Sequence, residues 1–376
     1  MRKSFLLGLA VLVASAALAQ EHTPTIAPTI TKNSSGSIET GETGGAAYRI
    51  DVPAKWNHKL VVYYHGYSEK PVTYKQTPNL LDRTFLDRGF AIVQSGYSVT
   101  GFALERAMPE TELLREYFVS KYGQPTETYV TGHSMGGALT METIEQAPYI
   151  YTGALSLCGL LGPSDLHEQQ SFAAVAAFDY YFPGLLPPLD PVPPSFAVGD
   201  ALQQKLQQAL DANPTGAAAM RILAAVKTDK DVAKMTVFHL FVVQDLQRKA
   251  GGSPFDNRNY LYSGTADDRA LNDGVKRYGP DKLAAQYSTR YYTSTGRLMR
   301  PMLAVHTTYD QFINPGSIFV YTEQVNRAGF SDNFVQQYVH ADGHCNITPE
   351  QVGIAFDELL DWTHGGKRPT PGLLPQ

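Results

Sequence analysis

The segment Gly132-His133-Ser134-Met135-Gly136-Gly137 lies where a strand-forming run turns into a helix-forming run. A serine at the tip of so sharp a turn takes a strained backbone, and glycines two residues to either side keep neighbouring atoms from colliding there. The N–H groups at the start of the helix favour negative charge on the serine oxygen. The pattern alone is common and would also suit a simple glycine-rich turn, but its position between a strand and a helix predicts Ser134 as a nucleophile.

Strand-forming and helix-forming runs alternate on both sides of this turn. Predicted strands cover residues 47–52, 59–64, 90–94, 128–131, 154–157, 302–305 and 333–339. Predicted helices cover residues 79–88, 110–122 and 135–147, and a last helix begins after Thr348, where Pro349 and Gln351 complete a capping box. The alternation predicts an α/β fold, with a mainly parallel sheet flanked by helices.

The middle of the chain breaks this alternation. Residues 160–295 contain leucines at every fourth position from Leu202 to Leu210, further helix-forming runs and a proline-dense stretch. They predict a large, mostly helical insertion between the nucleophile half of the core, residues 46–159, and its closing half, residues 296–364. Such an insertion would cover the sheet edge that carries the nucleophile, as a lid.

Both ends of the chain are expected to lie outside this core. A basic start, an apolar run over residues 5–14 and a small-residue site ending at Ala19 predict a signal peptide over residues 1–19, and the apolar run is too short to span a bilayer. Residues 20–45 predict an extended lead-in with room for one edge strand, and residues 365–376 a loose tail. The protein is therefore expected to be secreted or periplasmic, in an oxidising compartment, without a transmembrane segment.

The composition limits the classes of function. Of the 376 residues, 43% are hydrophobic and 18% charged, which excludes a disordered, collagen-like or coiled-coil chain. The 31 basic and 36 acidic residues are mixed along the chain, so nucleic acid is not an expected partner. The histidines are scattered and the two cysteines lie far apart, so no metal site is expected either.

A serine hydroxyl needs a base to take its proton, and a carboxylate to orient that base. His344 follows the predicted strand 333–339 and precedes the last helix, and Gly343 lets the loop between them bend. His340, at the end of the same strand, is the alternative, although a structural role suits its position better. We therefore predict His344 as the base.

The carboxylate is expected in the loop after the preceding strand, residues 302–305. Asp310 lies in that loop. Asp342 and Asp361 are the alternatives, but the first fits a turn and the second fits the solvated side of the last helix. We therefore predict Asp310 as the acid.

Two N–H donors are needed to stabilise the oxyanion of a tetrahedral intermediate. Met135, directly after the nucleophile, supplies one from its backbone. We assign the second to the backbone of Tyr67, in the loop after the predicted strand 59–64. His65, in the same loop, is expected to hold the loop by hydrogen bonds rather than to take part in the chemistry.

These features together resemble the secreted bacterial serine α/β-hydrolases of the esterase and lipase type. The likeness rests on the order and spacing of the loop at His65, the turn at residues 132–136, Asp310 and His344, and it covers both halves of the core. Thr307 departs from the pattern, because glycine often occupies the acid loop in that superfamily. The resemblance implies the α/β-hydrolase fold and hydrolysis through an acyl-enzyme without a cofactor, but no particular substrate.

The insertion is rich in apolar and aromatic side chains. Two roles are open for them: they could line an apolar acyl pocket or pack the insertion onto the body. Residues 97–102, after another strand, are a further candidate for the pocket. The side chains of the insertion in question are Phe178, Tyr180, Tyr181, Phe182, Leu185 and Leu186.

The two cysteines are predicted to form a disulfide. Cys158 ends the strand after the nucleophile helix, and Cys345 adjoins His344. Both positions map to the same edge of the sheet, in a compartment where disulfides form. The bridge would tether the histidine loop to the body, whereas two buried thiols are the alternative.

The leading hypothesis for function is a serine carboxylic-ester hydrolase acting on a small-molecule or lipid-like ester. The alternative is an aminopeptidase-like serine peptidase, for which Asp267 and Asp268 are the only acidic candidates to bind a cationic substrate end. A non-catalytic binding protein of the same fold is the remaining hypothesis, which an intact set of Ser134, Asp310 and His344 disfavours.

Overall fold

The structure, a computed structural model, describes residues 26–291 and 293–375. The predicted signal peptide, residues 1–19, lies outside the described residues. Within the described part, no helix combines the length and the apolar character needed to cross a bilayer.

The strands of the described residues form one mixed sheet. They are β1 (Ile26–Asn33), β2 (Gly36–Thr43), β3 (Ala46–Pro53), β4 (Lys59–Tyr64), β5 (Ala91–Ser95), β6 (Glu127–His133), β7 (Gly153–Leu157), β8 (Met302–Tyr309), β9 (Phe334–Asp342) and β10 (Gly372–Leu373). Their order in the sheet is β1-β2-β3-β5-β4-β6-β7-β8-β9-β10. The pairs β1–β2, β2–β3 and β3–β5 are antiparallel. All later pairs in this order, from β5–β4 to β9–β10, are parallel.

Helices connect the parallel strands. They are α1 (Leu80–Leu86), α2 (Leu104–Tyr122), α3 (Met135–Gln146), α4 (Ser164–Tyr181), α5 (Asp200–Ala212), α6 (Pro214–Leu223), α7 (Asp229–Ala250), α8 (Asp268–Gly274), α9 (Ala285–Tyr291), α10 (Phe319–Ala328) and α11 (Pro349–Thr363). Short 3₁₀ turns cover Pro315–Ile318 and Ser331–Asn333. The predicted fold class, a mainly parallel sheet flanked by helices, is confirmed.

Both faces of the sheet are buried. On β4, Leu60 and Val62 belong to the core that includes Leu139 of α3, while Val61 points to the opposite face and packs with Phe356 of α11. Successive strand residues alternate between the two faces, so a strand covered on both sides has to be apolar throughout. This accounts for the unbroken apolar run in β4.

Helices α4 to α9 lie between β7 and β8, in the region predicted as a helical insertion. The four-residue leucine spacing identifies the buried face of α5, where Leu202, Leu206 and Leu210 all point inward. Helix α4 begins at Ser164, soon after β7 ends at Leu157. The insertion therefore departs directly from the carboxyl end of β7.

Two predicted irregular segments contain strands. The lead-in, residues 20–45, is predicted to have room for one edge strand, but it contains both β1 and β2. These two strands extend the sheet antiparallel beyond β3. In the tail, β10 pairs with β9, with Gly372 opposite Gln337. β1 is largely exposed, β2 is mostly half-buried and β10 has only two residues, so these strands carry no alternating apolar pattern that sequence could reveal.

Candidate active site

The turn between β6 and α3 holds Ser134 in a strained conformation, with φ 59° and ψ −124°. A Cβ atom on Gly136 would lie 2.1 Å from the Tyr64 carbonyl oxygen, and one on Gly132 would lie 2.5 Å from the Gly136 carbonyl oxygen. The turn is therefore possible only with glycine at both positions, as predicted from the spacing. It brings the serine side chain to the carboxyl edge of the sheet.

His344 lies in the loop between β9 and α11 and contacts two of the other predicted site residues. Its Nε2 atom lies 2.8 Å from Ser134 Oγ, and its Nδ1 atom lies 2.6 Å from Asp310 Oδ2. A neutral imidazole that donates from Nδ1 to the carboxylate has its Nε2 lone pair free to accept from the serine hydroxyl. The structure thus brings together three side chains that lie far apart in sequence.

Asp310 follows directly after β8 and is only 2% exposed. Its Oδ1 atom accepts hydrogen bonds from the N–H groups of Phe312 and Ile313, at 2.8 and 3.0 Å. Burial by itself would raise the pKa of Asp310, but the hydrogen bond and charge of His344 and the Ile313 N–H bring that pKa below its ordinary value. The carboxylate is thus kept ionised beside the imidazole.

The alternative candidates for the base and the acid do not contact Ser134. His340 is exposed on β9. Asp342 forms an exposed ion pair with Lys227 at 2.7 Å. Asp361 accepts a hydrogen bond from the Lys367 N–H at the end of α11. None of the three has a hydrogen bond to Ser134 or His344 among the described contacts.

Three further histidines surround this group. His133 Nδ1 lies 2.6 Å from the Tyr63 hydroxyl, and burial, followed by the proximity of His65 and His344, lowers its pKa to about 4. Burial also lowers the pKa of His306, whose Nε2 atom lies 3.8 Å from Asp310 Oδ2. These imidazoles are neutral near pH 7, so they add no positive charge that would compete for Asp310.

The loop after β4 passes close to the nucleophile. A Cβ atom on Gly66 would lie 3.1 Å from Ser134 Cβ, so the backbone approaches more closely than a side chain would permit. His65 Nδ1 donates to the Gly66 carbonyl oxygen at 2.6 Å, and its ring stacks on Tyr97 with centroids 4.0 Å apart. These contacts fix the shape of the loop in the way expected for His65.

The two residues predicted as oxyanion donors line one pocket together with Ser134 and His344. Met135 is the first residue of α3, so its N–H group has no partner within the helix. Tyr67 follows the close approach of Gly66. Both backbones therefore lie at the edge of the sheet where the serine hydroxyl is exposed.

The pocket beside Ser134 has a wall of aromatic side chains. The rings of His344 and Phe312 meet edge to face with centroids 5.3 Å apart, Phe312 and Phe238 lie 4.6 Å apart, and Phe238 and Tyr67 lie 5.4 Å apart. The other residues at the pocket are Phe102, Ser134, Met135, Leu160, His167, Glu168, Ser171, His239, Val242 and Ile313. The pocket is therefore mainly apolar, with a few polar side chains.

The aromatic residues singled out in the insertion do not line this pocket. Phe178 and Phe182 stack on each other at 4.7 Å within the core, and Tyr180 meets Tyr181 edge to face. Of the candidate segment 97–102, Phe102 lines the pocket. Sequence reasoning missed Phe238 and Phe312, which no local pattern distinguishes from other core residues.

A disulfide joins Cys158 to Cys345, with the Cα atoms 5.2 Å apart. Cys158 directly follows β7 and is fully buried, and Cys345 adjoins His344. The bond therefore ties the histidine loop to the strand next to the nucleophile turn. Among the described residues, no cluster of three or more His, Cys, Asp or Glu side chains is arranged to hold a metal ion.

A tannase-like family of unknown function matches the chain over residues 42–182. This segment extends from the end of β2 to the end of α4 and contains the nucleophile turn. No curated protein sequence is significantly similar to the chain.

Solved structures of esterases resemble the whole chain. A point mutant of the rice cell wall degrading esterase LipA from Xanthomonas oryzae matches with a TM-score of 0.50 and 11% identity, covering 91% of this chain and 99% of that one. The chain therefore has an α/β-hydrolase fold like that of this esterase.

Two other solved structures show a weaker likeness. An esterase from Butyrivibrio proteoclasticus with ferulic acid bound has a TM-score of 0.44 and 14% identity, covering 90% of this chain and 99% of that one. An acylaminoacyl peptidase from Pyrococcus horikoshii has a TM-score of 0.46 and 11% identity, covering 92% of this chain. Only 43% of the longer peptidase chain is covered.

Proposed function

We propose that this α/β-hydrolase is a serine carboxylic-ester hydrolase that works through an acyl-enzyme. The observation that carries the proposal is the continuous hydrogen-bonded line from Ser134 Oγ through His344 to Asp310, with distances of 2.8 and 2.6 Å. Such a line supplies a nucleophile, a base and a group that orients the base.

In the first step, Ser134 Oγ attacks the carbonyl carbon of the ester while its proton passes to His344 Nε2. The imidazolium that forms is stabilised by the buried Asp310 carboxylate, which keeps Nδ1 protonated and the ring in place. The tetrahedral intermediate collapses when the bond to the alkoxide breaks. His344 gives its proton to this leaving oxygen, and an ester of Ser134 remains.

In the second step, water attacks the acyl-enzyme. His344 takes a proton from the water, and the new tetrahedral intermediate releases the carboxylic acid. The proton then returns to Ser134 Oγ, which restores the starting state. The cycle consumes one water and needs no cofactor.

The oxyanion forms twice in this cycle, and we assign its stabilisation to the backbone N–H groups of Met135 and Tyr67. Met135 begins α3, so the partial positive charge of the helix N-terminus adds to its N–H group. Removing one such donor typically costs about 10² to 10³ in turnover.

Ester cleavage is favoured over peptide cleavage by the character of the pocket. An aminopeptidase-like enzyme has to bind a cationic substrate end with free carboxylates. Asp267 caps α8 by accepting from the Ala270 N–H, and Asp268 accepts from the Gly264 and Thr265 N–H groups. Neither lines the pocket at Ser134, whose walls are mainly aromatic and whose acidic side chain, Glu168, is only 3% exposed.

We also propose that the protein acts after export, in the periplasm or the medium. The leader predicted over residues 1–19 and the disulfide between Cys158 and Cys345 support this. N-terminal sequencing of the exported protein is expected to begin at Gln20. Recovery of the full-length chain from the cytoplasm alone would contradict it.

Hydrolysis of p-nitrophenyl esters, from acetate to palmitate, tests the ester proposal, with aminoacyl p-nitroanilides measured in parallel. Ester turnover is expected, and the Ser134→Ala variant should lose nearly all of it. Ser120→Ala is the matched control, because Ser120 is an exposed residue on α2 whose hydroxyl donates to the Tyr117 carbonyl oxygen. Anilide turnover without ester turnover would favour the peptidase instead.

A further inference from the structure

Two polar side chains of the insertion meet inside the mainly apolar pocket. Ser171 on α4 and His239 on α7 both line it, and Ser171 Oγ lies 3.4 Å from His239 Nε2. Glu168, one turn before Ser171 on α4, lines the same pocket. The two helices thus bring polar groups together opposite the aromatic wall.

His239 is buried and incompletely hydrogen-bonded. It is 6% exposed, its ring has a backbone hydrogen-bond contact at Phe312, and its Nε2 atom has only the long contact to Ser171 Oγ. Burial lowers the pKa of His239 to about 4, so near pH 7 the ring is neutral, with one donor and one acceptor nitrogen. A contact as long as 3.4 Å is a weak hydrogen bond, so Ser171 and Nε2 both keep the capacity to bind a better partner.

The aromatic side chains of the pocket offer Ser171 and His239 no hydrogen-bond partner of their own. Tyr67, Phe102, Phe238 and Phe312 supply flat apolar surface, which suits a hydrocarbon or an aryl group. Packing alone would be served equally well by an apolar residue at position 239. A substrate hydroxyl placed between Ser171 and His239 would accept from Ser171 Oγ and donate to His239 Nε2, in place of their long contact.

We propose that Ser171 and His239 form a specificity subsite that binds a neutral hydroxyl group on the acyl part of the ester. The inference rests on the proposed ester hydrolysis, because it names the acyl class that the same pocket prefers. The aromatic walls hold the body of the acyl group, and the two polar side chains hold its hydroxyl. An acyl group without the hydroxyl leaves Ser171 and His239 with only their long mutual contact and is bound less well.

Two pairs of methyl esters with the same leaving group test this subsite. They are methyl benzoate with methyl para-hydroxybenzoate, and methyl hydrocinnamate with methyl para-hydroxyhydrocinnamate. The hydroxylated ester is expected to have a kcat/KM about ten- to a hundredfold higher in at least one pair, as for loss of one buried hydrogen bond. In the His239→Phe variant this ratio should fall to near one, because the hydroxylated ester loses more of its kcat/KM than the unsubstituted ester.

Control variants separate recognition from folding. His340→Phe, on the exposed side of β9, makes the same chemical change outside the pocket and should keep the wild-type ratio. Ser171→Ala should lower the ratio in part, and His239→Gln should keep more of it than His239→Phe because an amide can still form hydrogen bonds. These two smaller changes keep the test valid if His239→Phe does not fold.

A binding measurement does not depend on turnover. Calorimetry on the Ser134→Ala protein compares each hydroxylated acid with its unsubstituted counterpart, and the hydroxylated acid is expected to bind more tightly only while His239 is present. Equal turnover within both ester pairs, or a hydroxyl preference that survives His239→Phe, would overturn the subsite. No Ser134-dependent turnover of any ester would instead overturn the proposed function, and the binding comparison would then decide the subsite.

Discussion

Cys158, at the end of β7, is bonded to Cys345, the residue that follows His344. The bridge spans 187 residues of sequence, and its two ends flank the space between the nucleophile turn and the histidine loop. A covalent link at this place limits how far the imidazole can move away from Ser134.

Removing the bridge in a Cys158→Ser, Cys345→Ser double variant is expected to lower the free energy of unfolding by about 2 to 5 kcal/mol, the usual range for a native disulfide that closes a long loop. Urea unfolding, followed by fluorescence, measures this change. We also expect a lower kcat, since the histidine loop is then held by non-covalent contacts alone. An unchanged urea midpoint would show that the bridge does not restrain the loop.

The turn at Ser134 is expected to tolerate no side chain at Gly136. In Gly136→Ala, the new Cβ would meet the Tyr64 carbonyl oxygen at 2.1 Å, a backbone atom that cannot move without shifting β4. The variant should therefore lose stability by at least 1 to 3 kcal/mol, as for an overpacked core, together with its ester turnover. Gly316→Ala is the control, because there the nearest atom is the Asn314 side-chain oxygen at 3.2 Å.

The role assigned to Asp310 is tested by Asp310→Asn. This change keeps the size of the side chain but removes the charge that stabilises the imidazolium, so we expect kcat/KM for a p-nitrophenyl ester to fall by roughly 10³ to 10⁴. Asp342→Asn breaks only an exposed ion pair with Lys227 and should change kcat/KM little. Comparable losses in the two variants would contradict the assignment.

Glu142 on α3 gives the protein a distinct pH dependence of stability. Burial, the larger cause, and the charge of Glu145 raise its pKa from 4.5 to about 8, although Gln146 Nε2 donates to Oε1 at 2.8 Å. The unfolded chain releases this proton above about pH 4.5, and the folded chain keeps it until about pH 8. The stability contribution is therefore fully present below pH 4.5 and is lost as the pH rises to about 8.

Urea unfolding of wild type and Glu142→Gln at pH 5 and pH 8 checks this. Each pKa unit corresponds to about 1.4 kcal/mol, so the variant should gain a few kcal/mol relative to wild type between the two pH values. Glu323→Gln, on the surface helix α10, is the matched control and should show no such gain. Parallel pH profiles for wild type and Glu142→Gln would show that Glu142 is not held protonated.

The turn at Ser134 and the meeting of Ser134, Asp310 and His344 could be predicted from the sequence, because each residue is marked by its immediate neighbours and by the strand that it follows. Glycine spacing around a serine reports a steric requirement, and polar residues that follow parallel strands have to reach the same sheet edge. The two strands β1 and β2 could not be predicted in full, since exposed or half-buried strands rich in Thr and Gly carry little apolar alternation.

The pocket walls could not be foreseen for a different reason. Phe102, Phe238 and Phe312 come from a loop, an insertion helix and the acid loop, and only the packing of the insertion on the sheet brings them together. The aromatic run from Phe178 to Phe182 has the stronger sequence signal, but it faces the core of the insertion. Composition identifies apolar side chains, whereas tertiary packing decides which of them remain at a cavity.

Covalent labelling of the mature protein with a p-nitrophenyl phosphonate ester, followed by peptide mapping by mass spectrometry, tests most directly whether Ser134 is the nucleophile. We predict one adduct, on Ser134, at a rate that falls strongly in His344→Gln and not in His340→Gln. Labelling should be absent in Ser134→Ala. Ester turnover by a protein that carries no adduct on Ser134, or an adduct on another residue with Ser134 unmodified, would contradict the proposal that Ser134 is the nucleophile.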